Sequence, residues 1–196
     1  MEEKRRMANY ELLRVLAMVM VVVMHFLDHS DSLPALDRPM SGVRLAGSLL
    51  ESFSLVAVNT YVLLSGYFGV RSPFKPSRAV SLLCQIWFYA LLIPLALWPL
   101  GVPTVAGRLG IYGLIQYVFP IETEHYWVAT SYLLRYLLTP LLSRAAGSLS
   151  GKQFRIILGG LLILFCGIKS ISPVPFAFDR YGFDLTWFIC VWLVGA

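Results

Sequence analysis

Two stretches without a formal charge dominate this sequence: nineteen residues from Ser52 to Val70, and twenty-nine from Ala79 to Gly107. About 20 apolar residues carry a helix across the ~30 Å hydrocarbon core of a bilayer, so both mark spanning helices. The rest of the chain is of the same kind, 58% hydrophobic and 14% charged, where soluble domains carry about 25% charged residues. The expected fold is all-α, a polytopic transmembrane helix bundle in one domain covering residues 1–196.

Charge sets the expected orientation. Lys4, Arg5 and Arg6 precede a first span from about Tyr10 to Leu27, which places the N-terminus in the cytoplasm. The turn-forming stretch "DHSDSLPALDRPMSG" follows outside, and a second span from about Leu49 to Val70 returns to the basic loop "RSPFKPSR". A third runs from Ala79 and ends among the prolines between Pro94 and Pro103. Residues 105–120 are ambiguous, since they are apolar but hold Arg108 and three glycines. A crossing there would leave Arg144, Lys152 and Arg155 outside, so an interfacial or re-entrant segment is favoured. A fourth span, about Tyr126 to Leu142, and a fifth, about Ile156 to Ile171, follow. The last run, Leu185 to Ala196, is too short to cross. The expected whole is five spans and a partial sixth, truncated within a late helix, as in the N-terminal portion of a longer multipass protein.

The net charge of +5 lies at the ends of apolar runs, not in a stripe with exposed aromatics, which argues for topology and against nucleic acid. Cys84, Cys166 and Cys190 lack metal-ligand spacing and read as buried small hydrophobes. No metal site is expected. No small-residue cleavage site follows "MHFLDHS", so the first span reads as uncleaved.

Arg14 and His25 are the polar groups that need explaining. Eleven positions at ~100° per residue bring them to one face of the first helix, about 16 Å apart along its axis. Glu11, three residues before Arg14, is placed to pair with it. Ionisable groups inside a span cost roughly 2.5–3.5 kcal/mol on insertion scales unless they meet partners or line a cavity. Either residue alone has a simpler reading, with Arg14 snorkelling to the headgroups and His25 meeting water outside. Their shared face favours a cavity. Arg135, inside the fourth span, should also point into the bundle unless a buried carboxylate pairs with it or it faces lipid only near an end.

The stretch "YELLRVLAMVMVVVMHF", with an arginine, ten residues and a histidine, resembles the opening signature of the acyltransferase-3 family. "VLLSGYFG" is similar to that family's Ser-Gly-Tyr segment, and "RSPFKPSR" to the basic cluster before its third helix. "HYWVATSYLLRYLLTPLL" resembles its Trp-led helix with a late proline, and "TWFICVWLVGA" a later Trp-Phe-Ile helix. The ordered set runs through the whole chain, although family members commonly carry more spans.

The resemblance implies a multipass cell-membrane enzyme that moves an acetyl or other short acyl group from acyl-coenzyme A to a hydroxyl of a surface glycan or its precursor. It implies no bound cofactor, with acyl-coenzyme A as co-substrate; membrane lipid and the glycan acceptor are the other partners. His25 takes the place of the catalytic base, since an imidazole accepts a proton near neutrality. Asp28 and His29 are near enough in sequence to orient its ring, or else belong to the solvated loop. Arg71 and Arg78, with Lys75 between them, become candidates for the donor's phosphates, alongside Arg14; ordinary topology and headgroup contact explain the same charges. Ser65, Gly66 and Tyr67 read as close helix packing or a substrate tunnel, and Ser65 lacks the context of a nucleophile elbow. Trp127 and Tyr132 either line a tunnel or sit in an interfacial aromatic belt. The competing function is a non-catalytic transporter or inactive remnant in which Arg14 and His25 are merely polar cavity groups.

Overall fold

The computed structural model describes residues 7–30, 32–34, 39–101, 115, 118, 127–173 and 184–196, with Trp127 described by its backbone alone. Among them there are helices and no strand, so the expected all-α class holds. The ambiguous segment 105–120 lies outside the described residues except for Ile115 and Val118.

Helix α1, Ala8–Asp28, buries only Ala17 and Leu27. Its 21 residues reach about 32 Å, and its apolar surface is what a lipid-facing helix presents. Helix α2, Gly42–Ser54, opens with the Ser41 hydroxyl accepting from the Arg44 amide, and α3, Ala57–Gly69, follows almost directly. Leu55 and Val56 between them stay in the right-handed helical region, so the two form one jointed helix of 28 residues. The second span thus begins seven residues before the Leu49 expected from charge, because Arg44 and Glu51 are carried inside the helix.

Helix α4, Pro76–Leu97, starts with proline at its first position, where the missing N–H costs nothing. It runs through Pro94 and closes in a 3-10 turn, Trp98–Leu100, at Gly101 with φ 64°. Its end falls in the expected window, but Pro94 does not make it. Pro94 sits three residues from the end and forfeits one backbone bond, whereas the left-handed glycine stops the helix.

Helix α5, Trp127–Ser148, outlasts the expected Leu142. Helix α6, Gly151–Leu162, is opened by a capping box between Ser150 and Gln153 and continues through a π-helical turn, Ile163–Ile168, to Ile171. Helix α7, Leu185–Gly195, is capped by Asp184, whose carboxylate accepts from the Trp187 amide at 2.7 Å.

Among the described residues, four helical segments are long and apolar enough to cross a membrane: Ala8–Asp28, Gly42–Gly69, Pro76–Leu100 and Gly151–Ile171. Helix α5, expected as the fourth crossing, has the length at 22 residues but is not among those four. Its cavity-lining side carries Tyr132, Arg135, Tyr136 and Thr139, which lower its mean hydropathy, while Leu134, Leu137 and Leu141 are exposed on the other side.

Helices α3 and α7 make the tightest contact. A Cβ on Gly66 would run into the backbone carbonyl of Trp192, and one on Gly195 into that of Leu63. Two glycines, one per helix, thus let the backbones touch. Around this crossing Val58, Val62, Phe188, Val191 and Trp192 form the buried core, and the Trp187 indole N–H donates to the Asn59 side chain at 3.0 Å. Only Cys190 of the cysteines is buried; Cys84 and Cys166 are exposed. The expected burial fails for those two because a thiol is apolar enough to face lipid as readily as a core.

Candidate functional site

A cavity of about 1400 Å³ opens between α1, α3, α4, α5 and α7. Arg14 and His25 both line it from the same face of α1, as their spacing predicts. Arg14 is bound to Glu11 at 2.9 Å, its expected partner, and its guanidinium lies 5.3 Å from the Phe68 ring centre. The Tyr61 hydroxyl donates to the Arg14 carbonyl at 2.7 Å, fixing α1 against α3 at this depth.

The His25 ring is held by its own helix. Its Nδ1 lies 2.8 Å from the Val21 carbonyl oxygen. A carbonyl only accepts, so in that bond Nδ1 carries the hydrogen and Nε2 of the neutral ring keeps a lone pair. The ring is therefore set in the tautomer that accepts a proton at Nε2. Neither Asp28 nor His29 performs the orienting task considered for them: His29 turns its Nδ1 to the His25 carbonyl at 2.9 Å, and Asp28 stands 3.8 Å from His29.

Of the remaining candidates, Ser65, Arg78, Tyr132 and Arg135 line the cavity. The Ser65 hydroxyl donates to the Val62 carbonyl at 2.6 Å, an ordinary in-helix bond. Arg135 is buried, with its guanidinium 4.6 Å from the Tyr132 ring centre. Gly66 is used up by the contact with α7. Tyr67 turns away from the cavity and stacks on Tyr10 at 5.5 Å. Arg71 is exposed and does not line the cavity, and the Trp127 side chain lies outside the described residues.

Lys75 takes part through its backbone. The Tyr136 hydroxyl donates to the Lys75 carbonyl at 3.0 Å and accepts from its amide at 3.3 Å, and the Tyr136 ring packs 5.2 Å from Phe74. This clamp pins the basic loop to α5. Tyr136→Phe is expected to cost about 1 kcal/mol through the lost bonds and to speed tryptic cleavage between Arg71 and Arg78. An unchanged cleavage rate would show that the loop is held by other contacts.

Sequence reasoning missed Glu51, Tyr61 and Tyr136. Glu51 also lines the cavity. Tyr61 faces Arg14 while a Cβ on Gly47 would meet the Ser32 carbonyl, and that antiparallel register places Glu51 near the depth of His25. Glu51 was hidden because it bounds the uncharged run. With the helix beginning at Gly42, it lies more than two turns inside the span instead of at its edge, and an intramembrane carboxylate is itself a functional signal. Among the described residues no three His, Cys, Asp or Glu side chains come together as metal ligands would.

The sequence profile of the acyltransferase-3 family, described as an acyltransferase domain, matches residues 7–196. The chain belongs to the acyltransferase-3 family. Comparison with curated proteins and with solved structures found no match. Family membership and the apolar helices together make the chain a membrane protein of acyltransferase type, and the residues that carried the likeness in α1 lie on its cavity wall.

Proposed function

We propose that this acyltransferase-3 chain transfers an acetyl or other short acyl group from acyl-coenzyme A to a hydroxyl of a cell-surface glycan or its precursor. The observation that carries the reading is the pairing, in one cavity, of a histidine held as a proton acceptor with arginines from three other positions. His25 Nε2 takes the proton of the acceptor hydroxyl as its oxygen attacks the thioester carbonyl. The carbon–oxygen bond forms, the carbon–sulfur bond breaks, and the proton passes from the imidazolium to the departing thiolate. No bound cofactor takes part; the acyl donor is a co-substrate.

On this reading Arg78 at the start of α4 and Arg14, both on the cavity wall, draw an anionic donor to the end that the charge bias assigns to the cytoplasm. Arg71, at the surface of the same loop, acts as an outer attraction for the donor. The N-terminus on this reading is cytoplasmic, and His25 lies toward the outer leaflet, where a glycan is met.

The test is acetate on surface glycans of cells that lack the native activity, with and without the protein, supplied with isotopically labelled acetyl groups. Label on the glycan that depends on the protein and is lost when acetyl-coenzyme A is depleted supports the reading. Glycans that stay unlabelled at full membrane expression would sink it and favour a transporter whose cavity holds polar groups without chemistry.

A further inference from the structure

Arg135 is a permanent cation in the middle of an apolar bundle. It is 1% exposed, and a guanidinium does not give up its proton in proteins. Burying such a charge is costly unless something compensates it. The compensation on hand is partial. Tyr132 covers the flat face of the guanidinium at 4.6 Å, but Nε is buried without a hydrogen-bond partner. Among the described residues no carboxylate pairs with Arg135, the ion pairs being Arg14 with Glu11 and His29 with Asp28.

Stacking uses the face of a guanidinium, so the partnerless Nε lies on its in-plane edge. That edge is the one that takes two oxygens of an oxyanion through parallel bonds. Arg135 lines the cavity, as does Arg78 from the start of α4. Glu11 pairs with Arg14, whereas no described carboxylate pairs with Arg78 or Arg135. Two uncompensated cations on one cavity match a phosphate or diphosphate better than a single carboxylate.

We propose that Arg135, seated on Tyr132, is an anion subsite that holds a phosphate oxyanion by the in-plane edge of its guanidinium. The phosphate comes from a nucleotide-bearing ligand or from a lipid headgroup, two sources with the same chemistry. The subsite rests on the orphaned Nε and the cavity alone, so it stands or falls apart from any role of His25.

The experiment is thermal unfolding of the intact protein in non-ionic detergent, with pyrophosphate, coenzyme A or phosphatidylglycerol added, against Arg135→Met and Arg135→Lys. Pyrophosphate is expected to stabilise the native sequence saturably, with apparent affinity falling about ten- to hundredfold in Arg135→Met. Arg135→Lys keeps the charge, loses two-point contact and falls between. Without any anion Arg135→Met is expected to melt at or above the native protein, because an uncompensated buried charge has been removed. An Arg135-dependent response to coenzyme A and not to the lipid identifies nucleotide phosphate, and the reverse identifies a headgroup. The proposal is overturned if no phosphate compound gives an Arg135-dependent response. It is equally overturned if Arg135→Met melts well below the native protein in the absence of anion, since the arginine would then be holding the bundle together.

Discussion

His25→Ala is expected to lower the turnover of acyl transfer by about 10²- to 10⁴-fold, the span associated with loss of a positioned acid or base. The loss should appear in kcat, with KM for the acyl donor nearly unchanged, because Arg14 and Arg78, the arginines proposed to draw the donor, are untouched by the substitution. Folding should survive: His25 is exposed to the cavity, and the bond it gives up is a surplus one to the Val21 carbonyl, which already serves the α1 helix. The measurement is initial rate against donor concentration at equal membrane expression. A turnover close to that of the native protein would remove His25 from the chemistry and leave the polar face of α1 as a packing feature. A lowered yield with normal turnover per molecule would assign it to folding.

The second large effect falls on stability. Gly66→Ala is expected to destabilise the bundle by about 1–3 kcal/mol, the usual cost of forcing extra volume into a filled contact. In an exposed helix the same change would gain up to about 1 kcal/mol from propensity, so the sign itself is diagnostic. What the new Cβ meets is the backbone of Trp192, not the end of a movable side chain, and α7 has to shift as a body. Gly160→Ala in α6 is the matched control, since a Cβ there meets nothing within 4 Å, and it should be neutral or stabilising. Equal unfolding temperatures for the two variants would mean that α3 and α7 do not meet as closely as described.

The parts of the fold that follow from solvent were legible in the sequence. Charges stop at the ends of apolar runs because lipid rejects them, so α1 was bounded to within two residues, and the Glu11–Arg14 pair follows from helical spacing alone. What escaped depends on neighbours distant in sequence. Gly66 reads equally as a tunnel lining or a packing residue until α7 is seen against it. The polar groups of α5 gain their meaning only relative to a cavity that other helices build. The ring orientation of His25 was sought in the downstream Asp28, whereas it comes from a carbonyl one turn upstream, and a backbone acceptor has no side-chain signature. Arg135 drew notice as an intramembrane charge, but the absence of a partner at its Nε is a property of the assembled bundle.

The bond between Trp187 and Asn59 joins residues 128 positions apart. At translation rates of about 5–20 residues per second, α3 therefore waits roughly 6–26 s for the helix that covers it. During that interval the strip of Val58, Val62 and Gly66 has Val21 and Met24 of α1 and Val128 of α5 beside it, but lacks Phe188 and Trp192, which complete its cover. Phe188, which closes one side of the cavity, arrives with the same late helix. One wall of the chamber is thus added well after the others, and substitutions in α7 that slow its docking should be felt as lost protein in the membrane before they are felt as lost turnover.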